Sequence, residues 1–248
     1  MSGVGHRLTG MAEYEVTELF PVPREPAVLA PGAVHVPDWL PVARQRDLVA
    51  ACRDWVRSAP MRHQVMPGGG RMSVQSVMLG ANRTPYRYGA TGGAEVAALP
   101  DWLVDLGARA VADAYGMVDA GDVGVPEVED VVRGFVPDSA LVNYYDGAAH
   151  MGMHQDKDEF SAAPIVSLSL GDTCVFRFGN TETRTAPYRD VELRSGDLFV
   201  FGGPSRYAFH GVPKVFPGTG GMHLGLKNGG RLNITLRMTG GQRRALTG

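Results

Sequence analysis

His154-Gln155-Asp156 is the sharpest chemical feature of this sequence. On an extended segment one intervening residue sets both side chains on the same face, so an imidazole and a carboxylate can share one ion. A third ligand must then come from another element. His210, in Ser205-Arg206-Tyr207-Ala208-Phe209-His210-Gly211, follows Asp156 by 54 positions (210 minus 156), far enough for a separate strand. Two histidines and one carboxylate on a face, with positions left open, is the ligand set of non-haem Fe(II) oxygenases. A His-x-Asp pair alone arises often by chance, so its company decides the reading.

That company is Arg231-Leu232-Asn233-Ile234-Thr235-Leu236-Arg237. Offsets of 2 and 6 on a strand put Arg231, Asn233 and Arg237 on one face and Leu232, Ile234 and Leu236 on the other. Inward guanidinium groups are costly unless an anion meets them. A guanidinium fork matches a carboxylate with two hydrogen bonds, and 2-oxoglutarate brings two carboxylates plus a keto group able to chelate iron. Asn143-Tyr144-Tyr145, shortly before the His-x-Asp, alternates in the same way and offers Asn143 and Tyr145 to such an anion. The plainer alternative for the Arg strand is an exposed edge carrying solvated charges.

Around these residues the chain must build a scaffold. Its 248 residues are enough for one core, and 44% hydrophobic with 20% charged residues is the make-up of a water-soluble globule rather than a disordered chain. A formal charge of -2 gives no global basic field, so any nucleic-acid contact must be local. Cys52 and Cys174 are the two cysteines, which excludes a disulfide scaffold and a four-Cys zinc site and fits a reducing compartment. No run reaches the roughly 20 apolar residues of a membrane span, and Met1 to Thr9 lacks a signal-peptide core. The expectation is a cytoplasmic protein with no membrane partner.

Helical spacing of Val42, Leu48, Val49, Cys52, Trp55 and Val56 predicts a helix over 41–58. A second is predicted over 101–115, with Trp102, Leu103, Leu106, Ala110 and Val111 on its core side and Gly116 as its stop. Residues 1–33 read as an extended arm, its first ten or so disordered. The 33 glycines imply many turns. After Pro126 short apolar runs at 139–145, 165–170, 174–178, 197–201 and 231–238 predict strands. The fold class expected is mainly β (α+β), a sandwich or jelly roll with supporting helices.

Taken together, these pieces resemble the AlkB-type Fe(II)/2-oxoglutarate dioxygenases, which remove alkyl groups from nucleic-acid bases. The quotable pieces, between Leu19 and Gly240, are Leu141-Val142-Asn143-Tyr144-Tyr145, His154-Gln155-Asp156-Lys157-Asp158-Glu159, Pro164 to Gly171, Gly196-Asp197 leading to Gly202-Gly203, Ser205-Arg206 leading to His210-Gly211, and Arg231-Leu232-Asn233 with Arg237. The resemblance implies a double-stranded β-helix (jelly-roll) core with supporting N-terminal helices and a nucleotide-recognition lid. It divides the chain into a flexible arm (1–18), one domain (19–240, lid about 60–90, core about 135–240) and a tail (241–248). It implies Fe(II) on His154, Asp156 and His210 as the catalytic centre, 2-oxoglutarate on Asn143, Tyr145, Arg231, Asn233 and Arg237, and O2 as co-substrate.

The same resemblance implies substrate contacts by Met72, Tyr86, Asp158, Glu159 and Arg184, with alkylated DNA or RNA as partner and the target base flipped into the pocket of a monomer. The lid lacks a tryptophan at 78–88, where a stacking one is often found, so Tyr86 or Tyr88 is expected to stack. Arg62, Arg71, Arg83 and Arg87 lie in the same stretch, basic groups interleaved with rings as a single strand or flipped nucleotide requires.

Other residues receive blander readings. His150 and His223 read as solvent-facing loop residues, and His6, His35 and His63 have no partner at metal spacing. Met61, Met66 and Met78 read as core filler, and Cys174 as a buried small hydrophobe. Walker A, Gly-x-Ser-x-Gly and His-Glu-x-x-His motifs do not occur. The expected reaction is oxidative removal of N-alkyl groups of the 1-methyladenine or 3-methylcytosine type, with formaldehyde, succinate and CO2 as products. Two rivals remain: a dioxygenase of the same fold acting on a protein side chain or small metabolite, and a non-enzymatic damage-binding module.

Overall fold

A computed structural model describes residues 23–65, 69–80, 97–157, 161–220 and 222–240. Two short strands, β1 (Ala27–Ala30) and β2 (Ala33–Val36), precede helix α1 (Val42–Ser58), a hairpin of β3 (Arg62–Val65) and β4 (Arg71–Gly80), and helix α2 (Asp101–Gly116). Short helices α3 (Ala120–Val123) and α4 (Val128–Gly134) lead into the strand-rich part. That part holds β5 (Ser139–Tyr145), β6 (Met151–His154), β7 (Ile165–Gly171), β8 (Thr173–Phe178), β9 (Arg189–Leu193), β10 (Leu198–Phe201), β11 (His210–Phe216) and β12 (Arg231–Arg237).

Two antiparallel sheets face each other, an eight-stranded one in the order β1-β2-β10-β7-β12-β5-β4-β3 and a four-stranded one in the order β6-β11-β8-β9. This is the jelly roll expected from the chain. Strand alternation sends Leu232, Ile234 and Leu236 of β12, with Val166, Leu168 and Leu170 of β7, against Leu48, Val49 and Cys52 of α1 and Leu103, Leu106, Ala110 and Val111 of α2. The other core lies between the sheets and contains Phe176, Phe178, Phe199, Phe201, Val212 and Val215. β7 is buried along its whole length yet alternates, with Val166, Leu168 and Leu170 toward the helices and Ser167 and Ser169 toward the opposite face.

Helix α2 sits close on the sheet. A Cβ added to Gly107 would lie 3.0 Å from both Leu236 Cδ1 and Pro137 Cγ, so only a glycine admits this approach without displacement.

Several expectations change. The end of the arm, expected as extended chain laid on the body, is a regular hairpin: Ala27–Ala30 pairs with Ala33–Val36, whose strand pairs with β10. Four residues are too few to display a period, and the turn rests on Gly32 at φ +80, where a Cβ would lie 2.1 Å from the Gly202 carbonyl oxygen. Trp102 is not a core residue. It is 37% exposed and stacks on Trp55 with centroids 6.1 Å apart, while Arg44 covers its ring at 5.6 Å. Gly116 is the last helical residue, with Met117 as the cap. The sequence signal missed α3, α4, β6, β9 and β11, all of seven residues or fewer.

Cys52 and Cys174 are free and buried, and burial pushes both thiols up, Cys52 to about 12. Among the described residues no helix is long and apolar enough to cross a membrane. The expected arm 1–18 and tail 241–248 lie outside the described residues, as do 81–90 of the lid.

Candidate active site

His154 ends β6 and His210 begins β11, and the two are direct cross-strand partners with ring centroids 4.4 Å apart. Each Nδ1 lies 3.0 Å from a carbonyl oxygen, that of Gly152 for His154 and of Ala208 for His210. A carbonyl only accepts, so the proton sits on Nδ1 and the lone pair of each Nε2 is left for a ligand. Asp156 follows the end of β6, and its Oδ1 and Oδ2 stand 3.7 Å from His154 Nε2 and 3.6 Å from His210 Nε2. These gaps are too long for hydrogen bonds, whereas donors each about 2.1 Å from one ion stand roughly 3–4 Å apart. The three ligand atoms all lie within 4.8 Å of one another.

Electrostatics holds His154 and Asp156 in ligand form. Packing around the ring, followed by the neighbouring His210, lowers His154 to about 4, so it is neutral near pH 7. Burial alone would raise Asp156, but the Arg237 guanidinium and both imidazoles hold it well below the usual carboxylate range. Arg237 Nη2 donates to Asp156 Oδ2 at 2.7 Å.

Opposite the trio, the inner face of the large sheet carries a polar stripe. β12 pairs Arg231 with Tyr145 and Asn233 with Asn143, so the residues that period-2 alternation grouped do share one face. Ser76 Oγ donates to Asn143 Oδ1 at 2.7 Å; Asn233 Nδ2 donates to Ser167 Oγ at 2.7 Å and to the Leu168 carbonyl. Burial raises the Tyr145 phenol above its ordinary value despite the opposing charge of Arg231, and its hydroxyl reaches Met151 Sδ at 3.7 Å.

Arg231 differs from these neighbours. It is 1% exposed and gives Nη2 to Ser169 Oγ at 2.9 Å, but among the described residues its Nε and Nη1 have no hydrogen-bond partner. A buried guanidinium with idle donors is costly unless a ligand completes it, and a carboxylate accepting two parallel bonds is the complement of that fork. The described residues therefore fit both groups: a nitrogen and carboxylate set for Fe(II), and an anion-seeking arginine for 2-oxoglutarate.

Of the expected substrate residues, Met72 is half-buried on β4, on the face that also carries Ser76. Arg184 is exposed in the loop between β8 and β9, its guanidinium 5.8 Å above the ring of Phe209, next to His210. Tyr86, Asp158 and Glu159 lie outside the described residues, as do Arg83, Arg87, Tyr88 and Met66. Arg62 and Arg71 are exposed on the β3–β4 hairpin.

A 2OG-Fe(II) oxygenase superfamily model matches residues 32–237. The chain belongs to that superfamily. It is 36% identical over 222 residues to the alpha-ketoglutarate-dependent dioxygenase AlkB homolog of Caulobacter vibrioides, a match covering 86% of this chain and 90% of that protein. It is 31% identical over 245 residues to the DNA N(6)-methyladenine demethylase ALKBH1D of Arabidopsis thaliana, covering 92% of this chain and 54% of the relative. The solved structure of OsALKBH1 superimposes with a TM-score of 0.73 at 31% identity, over 86% of this chain and 99% of that one. This AlkB-type oxygenase is an Fe(II)/2-oxoglutarate-dependent dioxygenase.

Other residues that shape the dioxygenase site carried no assigned role in the sequence. Buried Arg206 donates from Nε to the Ala163 carbonyl at 2.8 Å and from Nη1 to the Asp156 carbonyl at 2.5 Å, clamping the loop that carries a ligand. Ser167 and Ser169 are acceptors for Asn233 and Arg231; their spacing of 2 within an apolar strand was the signal available for them. His35, read as having no partner at metal spacing and as solvent-facing, is instead buried, 2.9 Å from the buried Asp197. Nδ1 of His63 meets the Met72 carbonyl at 2.8 Å, and His150 and His223 are exposed as expected.

Proposed function

We propose that this enzyme oxidatively removes small alkyl groups from base nitrogens of DNA or RNA, of the 1-methyladenine or 3-methylcytosine type. The observation carrying the dioxygenase chemistry is the His154-Asp156-His210 trio together with the incompletely bonded guanidinium of Arg231, on the strand whose Arg237 reaches Asp156. The nucleic-acid substrate is supported by the demethylase named among the relatives and by exposed Arg184, Arg62 and Arg71. The reading includes a single domain over 19–240, a monomer, a flipped target base and, from its two unpaired cysteines, a reducing cytoplasm.

In this mechanism Nε2 of His154 and of His210 and the Asp156 carboxylate would hold the metal. Arg231 takes a carboxylate of 2-oxoglutarate in its fork, with Asn143, Tyr145 and Asn233 around it, while Arg237 fixes the Asp156 carboxylate. When bound, Fe(II) and 2-oxoglutarate would supply, with O2, the oxidising chemistry that turns a methyl C–H into C–OH, with succinate and CO2 as co-products. The hydroxymethyl group then leaves as formaldehyde: its O–H proton is lost, the C–N bond breaks, and the bonding pair returns to the ring nitrogen as its lone pair. Phe176 and Phe201, with centroids 5.9 and 5.0 Å from the His210 ring, exclude water behind that ligand. Met72, Tyr86, Asp158, Glu159 and Arg184 contact the base and its strand, the two acidic residues accepting from an exocyclic amine.

Formaldehyde and succinate measured together test the reading, with iron-loaded protein and a panel of single-stranded DNA, duplex DNA and tRNA carrying 1-methyladenine, 3-methylcytosine or N6-methyladenine. Equimolar formaldehyde and succinate from at least one of them is expected. Formaldehyde arising instead from a methylated peptide or small amine would transfer the enzyme to the rival substrate class, and an absence of 2-oxoglutarate turnover under every condition would leave only the binding module.

A further inference from the structure

Gln155 lies between two expected metal ligands, and its side chain points away from them. Its Nε2 donates to the carbonyl oxygen of Tyr207 at 2.7 Å and of Thr181 at 3.1 Å, joining segments 52 and 26 positions away. Both acceptors are carbonyls, which fixes the amide orientation, since only the NH2 end can donate.

The two segments it joins matter for different reasons. Thr181 belongs to the β8–β9 loop that presents Arg184. That loop is stitched internally: Asn180 Oδ1 accepts from the backbone N–H of Glu182 at 2.8 Å and of Thr183 at 2.9 Å, and Asn180 Nδ2 donates to the Pro187 carbonyl. Its base is paired with the segment ending at His210, through Gly179 N–H to the Phe209 carbonyl and Phe209 N–H to the Asn180 carbonyl, each 2.8 Å. The base of the loop at 179–180 is therefore fixed to the segment ending at His210, and the Gln155 amide ties the outer part of the loop, from Thr181 on, to the motif that carries His154 and Asp156.

Resting on the demethylase reading, we propose that Gln155 is a positioning residue that sets the Arg184 loop against the metal ligands, so that 2-oxoglutarate is consumed when a substrate base is seated. A base pressing on the loop would be felt at the His-x-Asp motif through two hydrogen bonds. Without them the ligands remain but the loop loses its register.

The test uses the iron-loaded full chain carrying Gln155→Met, which keeps length but not donors, or Gln155→Glu, which turns a carboxylate toward two carbonyl oxygens. One lost hydrogen bond is worth roughly threefold to tenfold, so the succinate to formaldehyde ratio and the KM for methylated oligonucleotide should each rise by about that factor. The KM for 2-oxoglutarate and the thermal shift produced by Mn(II) should stay within about twofold of wild type. Amide hydrogen exchange should accelerate at 181–188 and not in β5, β7 or β12. An unchanged ratio and oligonucleotide KM would overturn the proposal, as would parallel losses in Mn(II) response and both KM values, because Gln155 would then serve only to hold the metal site. If wild type releases no formaldehyde from any nucleic acid, the demethylase reading fails separately. Exchange at 181–188 then decides alone, faster exchange in both variants supporting the brace and unchanged exchange refuting it.

Discussion

Asp156, half-buried just past the end of β6, and Asp197, fully buried just before β10, are carboxylates treated in opposite ways. Asp197 is saturated: Arg24 donates to both its oxygens at 2.6 and 2.8 Å, His35 Nε2 sits 2.9 Å away, and the backbone N–H groups of Asp38 and Arg194 donate at 3.0 and 2.9 Å. Asp156 has Arg237 on one oxygen and two imidazole nitrogens held beyond hydrogen-bond reach. A saturated buried carboxylate is a structural staple; one ringed by lone pairs at ligand spacing is a site. The arginines repeat the contrast, Arg206 meeting backbone carbonyls and Arg231 keeping two nitrogen positions idle.

The largest effect expected from this contrast is at Asp156. Asp156→Ala should lower iron-dependent succinate formation by about a thousandfold, some 4 kcal/mol of lost transition-state stabilisation. Near-normal turnover in that variant would erase the distinction between the two carboxylates.

Asp197→Ala should act on stability instead. Removing the acceptor strands Arg24 and His35, and about 3 kcal/mol is a fair expectation for a largely buried pair broken on one side. Denaturant midpoints measure it, with succinate turnover per folded molecule retained; a selective loss of turnover would mean that Asp197 also serves the chemistry.

Arg231→Met sharpens the arginine comparison. The KM for 2-oxoglutarate should rise roughly tenfold to a hundredfold and the thermal shift on adding it should vanish. Without ligand the variant should be as stable as wild type or more so, because an apolar chain replaces an incompletely bonded charge. A marked fall in ligand-free melting temperature would show that Arg231 is satisfied in the resting protein.

The smallest effect lies in pH. Burial works to raise Asp197, but the hydrogen bonds from His35 and Arg24 outweigh it and bring the group from 3.8 to about 2. A carboxylate depressed in the folded state contributes stability that is complete above its unfolded value and fades as pH falls through the folded one. The stability gap between wild type and Asp197→Asn should therefore hold at pH 5 and shrink between about 4 and 2. A gap independent of pH in that range would place the stabilisation in packing.

The stripe of Arg231, Asn233, Asn143 and Tyr145 was legible in sequence because strand alternation is a local rule, indifferent to what lies opposite. The partners across the sheets were not. His35 and Arg24 are 162 and 173 positions from Asp197, and no spacing rule connects them. β11 also escaped notice, since Gly211 and Pro213 interrupt it and its pairing shifts register between Gly211 and Lys214. Trp102 misled because helical spacing gives a side, whereas burial depends on how far the neighbouring element extends. Gln155 reads as a filler between two ligands until its carbonyl acceptors are in place.

By itself the sequence determined which residue types could bind a ferrous ion and a dicarboxylate, and which of them share a strand face, because covalent spacing and backbone period fix both. Only the tertiary structure decided that His154 lies across from His210, that Arg237 turns to Asp156 while Arg231 keeps idle donors, and that Asp197 is a staple. Those outcomes depend on which distant segments arrive to satisfy each buried polar atom, and hydrogen-bond saturation is a property of the assembled pair of sheets rather than of any stretch of chain.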